Sequence, residues 1–473
     1  MAGACAVLPL LAGCSFAPAH VRPALPVPQS YAASSSGAPS IATMGWRDFF
    51  VEAQLQALIA AALENSRDIR IASGRVAEAR AAWRIEGSAL YPQIDAVATG
   101  ARGRTPADLS VTGRAMTGNQ FYAQLSAGWE LDFWGRLRNL NDAARAQYLA
   151  TQEARRAVAT DLIAQVANGY LLEREYEERA ALARRTIATR EESLRIMRRR
   201  YEVGSGSKLE MAQAQTLLAQ AQTALQALDQ DRDVNRNALA LLVGRPVEIV
   251  ASAQGLADVT PQIALPAGLP SELLTNRPDI VAAEYALRAA DANIGAARAA
   301  FFPSISLTGA FGTASSALDG LFRDGSLSWT FKPAIGLPLF NAGRLAANLD
   351  VAKARQVIAV ADYERTVQAA FRDVSDALVR RRQLGLQIGT MREMLAALRE
   401  RSRLAQLRFD NGRSAYLEVL DAQRDLFDTE QTLVQLRRAH LASGVALYAA
   451  LGGGFIPAAP DDNSTQQSQG EAR

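Results

Sequence analysis

Between residues 176 and 201 the apolar positions advance in steps of four and three: Tyr176, Ala180, Ala183, Ile187, Leu194, Met197 and Tyr201, with Arg190 the single break. The same spacing returns at Leu384, Ile388, Met391, Leu395, Leu398, Ala405 and Phe409, where Ser402 interrupts. A stripe of this period is a heptad seam, the mark of a helix packed lengthwise on a neighbour. The stretches 137–200 and 345–408 contain no Pro and only isolated Gly. At 1.5 Å per residue, each predicts one helix of roughly 95 Å. Beyond Gly204 and Gly412 the stripes resume as Ala214, Leu218, Ala221, Leu225, Leu228 and as Ala422, Leu426, Thr429, Leu433, Leu436. The chain therefore predicts two long helical hairpins reversing at those glycines. An Ala-rich helical pattern also runs from Val51 to about Gly87.

After Pro92 the period changes to two. Phe121, Ala123, Leu125, Ala127, Trp129 and Leu131 alternate with Tyr122, Gln124, Ser126, Gly128, Glu130 and Asp132. Residues 93–103 form the expected partner strand. Ile305, Leu307, Gly309 and Phe311 give a third strand within about 303–313. Leu327, Trp329 and Phe331, opposite Ser328, Thr330 and Lys332, give a fourth within about 327–337. Strands of about ten residues with an aromatic toward one end suit a membrane β-strand. A soluble hairpin packed on a helix fits the same alternation.

These patterns occur twice. RYEVGSGSKLEMAQAQ at Arg200–Gln215 and RFDNGRSAYLEVLDAQ at Arg408–Gln423 share Arg, Gly, Leu, Glu, Ala and Gln at a constant offset of 208 residues. Tyr91-Pro92-Gln93-Ile94 faces Phe302-Pro303-Ser304-Ile305, and Asp68-Ile69 faces Asp279-Ile280, both at an offset of 211. A period this long marks a duplicated half-molecule rather than a solenoid unit. The expected organisation is repeat one over 46–245, a Pro-containing linker over 246–275, repeat two over 276–455, and a polar tail over 456–473.

Composition narrows the function. The 51 basic and 48 acidic side chains nearly cancel, so no nucleic-acid partner is expected. Two His and two Cys leave little for a His/Cys metal site. His440 falls on a seam, where it reads as a partly covered structural side chain. No phosphate loop, nucleophile elbow or His-bearing acid/base set is present, so no enzyme is expected. At the N-terminus AVLPLLAG leads into Leu11-Ala12-Gly13-Cys14-Ser15. The run is too short to span a bilayer and has the length of a signal-peptide core. It predicts a signal over 1–13 that carries Cys5 away, so no disulfide is expected. Cys14 would then begin the mature chain, followed by a Pro/Ser-rich tether to residue 45. No Lys or Arg precedes the apolar run.

Taken in order, these segments resemble the TolC-like outer-membrane factor family in its lipoprotein branch, with its efflux and nodulation-type members. The resemblance runs from Cys14 to Gly454. It rests on Leu11-Ala12-Gly13-Cys14-Ser15, which resembles a bacterial lipobox, and on Asn276-Arg277-Pro278-Asp279-Ile280, Phe302-Pro303, the Arg-aromatic-x-x-Gly turns, the Leu-Glu-x-x-x-Ala-Gln runs and Leu451-Gly452-Gly453-Gly454. It implies a mostly α chain with an inserted membrane β-barrel. Four strands from each of three chains would close a twelve-stranded barrel, continued by a long α-helical barrel into the periplasm. Open strand edges cannot stand in lipid, which independently calls for closure by neighbours. The implied partners are a homotrimer, outer-membrane lipid, a periplasmic adaptor and an inner-membrane resistance-nodulation-division-type pump. The only implied cofactor is a covalent lipid on Cys14, and Ser15 after it resembles the outer-membrane address.

The resemblance also assigns the helix tips. Leu417 and Asp421 match a periplasmic gate, with Leu209 and Gln213 as counterparts in repeat one. The packing alternative makes Leu417 a seam residue and Asp421 a solvated one. Arg200, Gly204, Ser205, Arg408, Gly412 and Ser414 fall at the adaptor-contact tips. Asp410 stands where several efflux-type relatives carry a basic residue, which argues against an arginine latch there. The expected function is a passive exit duct for small molecules in a tripartite efflux system. A duct for type I protein secretion is the nearest alternative. A structural coiled-coil lipoprotein would leave the four strands without a purpose.

Overall fold

A computed structural model describes residues 15–24, 27–28, 44–250, 255–256 and 273–453. The signal 1–13, Cys14, most of the linker and the tail 456–473 lie outside the described residues. The elements run α1 (Trp46–Phe49), α2 (Ala53–Asn65), α3 (Arg67–Ser88), β1 (Gln93–Thr105), β2 (Met116–Leu131), α4 (Arg136–Glu202) and α5 (Lys208–Val243). They continue with α6 (Leu273–Asn276), α7 (Pro278–Ala299), β3 (Ser304–Ser315), β4 (Leu327–Gly336), α8 (Arg344–Asp410) and α9 (Tyr416–Ala450). Both long helices contain 67 residues. The expected helix over 51–87 is instead two. At Ser66 the backbone is extended, with ψ 138°, and the Ser66 hydroxyl accepts from the Asp68 amide at 3.3 Å. A serine that caps the next helix competes with continuing the last one.

The chain divides into two compact units. One comprises the described residues within Met1–Ala24, Gly74–Gln152 and Ala282–Glu364. It holds a four-stranded antiparallel sheet in the order β1-β2-β3-β4. Register decides its faces, because directly opposed residues point the same way. Ala96 opposes Leu125, Leu125 opposes Phe311, and Phe311 opposes Trp329. Ile94, Ala127, Gly309 and Phe331 form the adjacent row. Asp95, Ser126, Ala310 and Thr330 line the opposite face. The middle of one face is thus apolar and uncovered, with Trp329 69%, Phe331 62% and Phe311 61% exposed, while Arg102 and Arg104 stand on the same face further along β1. β1 and β4 each pair on one side only.

Below the strands, Asp132 caps α4. Its carboxylate accepts from the Leu137 and Arg138 amides at 3.0 and 2.8 Å. Glu130 holds Arg136 with both oxygens at 2.8 and 2.7 Å. The segment expected to be a tether from residue 17 is bonded here instead. Phe16 stacks on Phe302 at 4.7 Å, and Arg298 donates to the Phe16 carbonyl at 2.9 Å. His20 meets Asp291 at 2.9 Å, and Arg22 meets Glu284 at 2.8 Å. Gly295 permits this approach, because a Cβ there would lie 2.7 Å from the Ala17 amide nitrogen.

The second unit comprises the described residues within Leu25–Ser73, Glu153–Val281 and Arg365–Arg473. Its helices pack along the expected seams: Ala180, Ala183 and Met197 on α4, Ala214 and Ala221 on α5, Ile388 and Leu395 on α8, and Ala422 and Leu433 on α9 are all buried. Tyr201 departs from the seam and is 44% exposed, whereas its counterpart Phe409 is buried. Arg190, the break in the pattern, is buried to 3% exposure rather than turned outward. Buried charge crosses the bundle as well. Glu173, with 0% exposure, accepts from Arg232 Nε at 2.6 Å and Arg236 Nε at 2.9 Å. Glu175 bonds Arg179 at 2.9 Å on its own helix and Arg438 of α9 at 2.8 Å. His440 is half-buried, and burial followed by the nearby Arg381 cation lowers its pKa.

Candidate functional site

The two helix reversals form the most specific constellation in the second unit. Gly204 and Gly412 take φ of 75° and 68°, in the left-handed region that a side chain disfavours. In the first turn the Ser205 and Gly206 amides both donate to the Arg200 carbonyl, at 2.9 and 3.1 Å, and Ser205 Oγ reaches it at 3.2 Å. In the second, the Arg413 amide donates to the Arg408 carbonyl at 2.8 Å. The returning helices then start differently. Ser207 and Glu210 form a reciprocal capping box at α5. Ala415 offers no side-chain cap to α9. Glu418, matched to Glu210 in sequence, instead pairs with Arg408 at 3.6 Å. The half-buried Ser414 hydroxyl has no hydrogen-bond partner.

An aromatic lock joins the two reversals. The Arg200 guanidinium lies 5.0 Å over the Phe409 ring, and Phe409 sits 5.0 Å from Tyr416. Met197, Ala214, Tyr416 and Val419 complete one buried cluster from four helices. Burial pushes the Tyr416 phenol up.

On this packed base α9 presents one open stripe. Tyr416, Val419, Leu420 and Ala422 are buried, whereas Leu417 is 51% exposed. Leu417 is therefore not seam packing within its own chain. Asp421, one turn along the same face, is partly covered and lies 3.3 Å from Arg424. Arg424 also bonds Asp425 at 3.3 Å, and Arg401 of α8 bonds Asp425 at 2.7 Å. The hydrogen bond from Arg401 holds Asp425 below the usual carboxylate range, outweighing slight desolvation. Sequence reasoning passed over Arg424 and Arg401. The signal for Arg424 was present, since three residues separate it from Asp421 on one helical face. Arg401 could be found only from the packing of α8 on α9. Asp410 carries no arginine latch and accepts from Gln406 at 2.8 Å. In the first hairpin Leu209 is 66% exposed, as an apolar counterpart without the acid. Among the described residues no group of His, Cys, Asp and Glu could hold a metal ion, and no helix is long and apolar enough to cross a membrane.

An open four-stranded sheet with an apolar face, on the same chain as paired heptad helices, is the pattern of the TolC-like outer-membrane channels. Similarity to known proteins agrees with that class. Residues 58–245 and 269–453 match the family described as outer membrane efflux protein, and the chain belongs to that family. It is 41% identical over 459 residues to the cation efflux system protein CusC of Escherichia coli, covering 95% of this chain and 99% of CusC. It is 44% identical over 455 residues to the toluene efflux pump outer membrane protein TtgI of Pseudomonas putida, covering 94% and 96%. A crystal structure of CusC superposes with a TM-score of 0.85 at 40% identity, covering 93% of this chain and all 100% of that one. The open state of the Neisseria gonorrhoeae MtrE outer membrane channel gives 0.84 at 38% identity, covering 93% and 98%. The protein is thus an outer-membrane efflux component, and these relatives are transport proteins.

Proposed function

We propose that three copies of this chain close a twelve-stranded barrel in the outer membrane and a helical tunnel beneath it, forming a passive exit duct. The observation that carries this is the sheet, whose two outer strands each leave one edge unpaired while the middle of one face is apolar and exposed. Unpaired backbone groups cost several kcal/mol each in lipid, so closure must come from further strands. The twofold internal repeat then gives each chain two hairpins, at 46–245 and 276–455, joined by a linker at 246–275. A signal at 1–13 is removed, and a lipid on Cys14 supplies a second anchor ahead of the 14–45 segment. Residues 456–473 form a polar tail.

A periplasmic adaptor docks at the reversals around Arg200, Gly204, Ser205, Arg408, Gly412 and Ser414, and a resistance-nodulation-division-type pump drives export. The relatives named for cation and toluene efflux differ in the cargo of their names while matching nearly the whole of this chain at 41% and 44% identity. That supports assigning cargo choice to the pump and a gating role to the duct. A duct for type I protein secretion would use the same closure and is the second reading, supported by the resemblance alone.

Leu417 and Asp421 form the gate in this reading, because Leu417 is exposed between buried Tyr416 and Val419, with Asp421 one turn further on. Three leucines around an axis make a constriction that stops flow by dewetting. Three aspartates favour cations, moderated by Arg424 at 3.3 Å. Leu417→Ala with Asp421→Ala should raise single-channel conductance in planar bilayers and admit large antibiotics from outside. A double variant that conducts like the parent would place the constriction elsewhere.

A further inference from the structure

The two residues that break the heptad seams, Arg190 in the first and Ser402 in the second, line one cleft. It has a volume of about 480 Å³ and lies among α4, α8 and α9 of the second unit. Arg185 and Arg399 line it with Arg190, and Glu430 is the one acidic lining residue. Glu430 is engaged by Arg399 at 3.0 Å, which leaves the lining with a net positive charge. Arg190 is 3% exposed, and its Nε is buried with no hydrogen-bond partner. Its Nη1 donates to the Leu217 carbonyl at 2.5 Å, and the guanidinium lies 5.1 Å from the Phe427 ring centre. Burial lowers its pKa, with Asp428 only partly opposing. A cation held this way is under-compensated: a carbonyl, a ring and one distant carboxylate replace the water it gave up.

We propose that this cleft binds a small organic anion whose carboxylate or sulfonate meets Arg190 and whose apolar body rests on Phe427 and Leu426. The volume falls in the range of a small-molecule site, and the lining is mainly polar, with Leu182, Leu426 and Phe427 as its apolar part. Arginine on an aromatic face keeps its in-plane donors free for an oxyanion. The hydroxyl of Ser402 and the amide of Gln423 add donors at the same cleft. The site joins the two hairpins, since Arg190 belongs to the first and Ser402 and Phe427 to the second. A bound anion therefore favours the packed arrangement of the hairpins over a splayed one. This proposal goes beyond the duct reading and is tested by binding, so it stands or fails separately from any conductance result.

The whole protein, purified and reconstituted in phosphatidylcholine nanodiscs, is titrated calorimetrically with sodium salicylate and, in parallel, with neutral salicylamide. Saturable binding of one salicylate per chain is expected, weakened at least tenfold in Arg190→Gln and several-fold in Arg399→Gln. Ser402→Leu is the variant least dependent on the buried cation. The position 208 residues earlier is Leu194, so leucine completes the seam while filling the cleft. It should fold as the parent does and lose salicylate binding. Three results would overturn the proposal: no saturable salicylate binding by the parent, equal binding of salicylamide, or unchanged salicylate affinity in Ser402→Leu.

Discussion

Glu173→Leu tests whether buried charge, rather than the apolar seams alone, holds the first hairpin together. Glu173 is fully buried and is the shared acceptor for Arg232 and Arg236, with one oxygen receiving from Arg232 Nε at 2.6 Å and Arg236 Nη2 at 2.8 Å. Removing one side of a buried ion pair costs about 3–5 kcal/mol, because the remaining charge is stranded. Here the arginine side chains are 19% and 36% exposed and can regain water, so the lower bound applies, about 3 kcal/mol. Large domains lose roughly 2 °C of midpoint per kcal/mol, which gives a fall of about 6 °C. The assay is thermal loss of the 222 nm circular dichroism signal, parent and variant scanned at one rate. Adding Arg232→Leu should recover part of the loss, since one stranded cation leaves with it. The second hairpin supplies a control. By the same offset of 208, Arg381 stands opposite Glu173 and His440 opposite Arg232, so the acid is missing there. Arg381 Nη1 is buried without a hydrogen-bond partner, and Arg381→Leu should raise the midpoint. A Glu173→Leu midpoint within about 2 °C of the parent, the shift expected for only one kcal/mol, or a double variant below the single one, would refute the reasoning.

Three further outcomes are expected. Trp329→Arg places a cation on the apolar sheet face and should cost about 2–4 kcal/mol if it lies near the bilayer midplane, read as loss of folded protein in outer-membrane fractions; Ser328→Arg on the opposite face should be tolerated. Cys14→Ser should leave folding intact and weaken membrane anchoring, and the mass of the mature parent protein should show the acyl additions on a chain beginning at Cys14. Burial alone would raise the Glu284 pKa, but hydrogen bonds from Arg288 and Arg22 outweigh it and hold the carboxylate below its ordinary 4.5. Its contribution to stability is therefore complete above that value and lost as pH falls through the lower folded pKa. Glu284→Gln should flatten the acid limb of the midpoint-against-pH curve, and parallel curves would remove Glu284 from the account.

Periodicity is a local property of the chain, and what it encodes was legible directly. The four strands lie within a few residues of their expected bounds, with β2 starting earlier, at Met116, because the hairpin ladder continues to Thr105 opposite it. The seams on α4, α5, α8 and α9 bury or half-bury the residues the heptads marked, Tyr201 excepted, and Gly204 and Gly412 take the left-handed turns that two sharp reversals demand. The sequence also marked Arg190 and Ser402 as exceptions without saying where they go. Tertiary structure decided that, because Arg190 is buried by partners on other helices, the Leu217 carbonyl and the Phe427 ring. The same reason accounts for the countercharges on Asp421 and Asp425, which depend on side-chain reach and on how α8 packs against α9. It accounts for the docking of residues 15–24, a Pro- and Ala-rich segment with no period to read, held by Asp291, Glu284 and the gap at Gly295. Composition along the chain determined which elements form and which faces are apolar. Only the folded packing decided which charges are countered, which polar groups are left without a partner, and that Leu417 stays exposed beside buried Tyr416 and Val419.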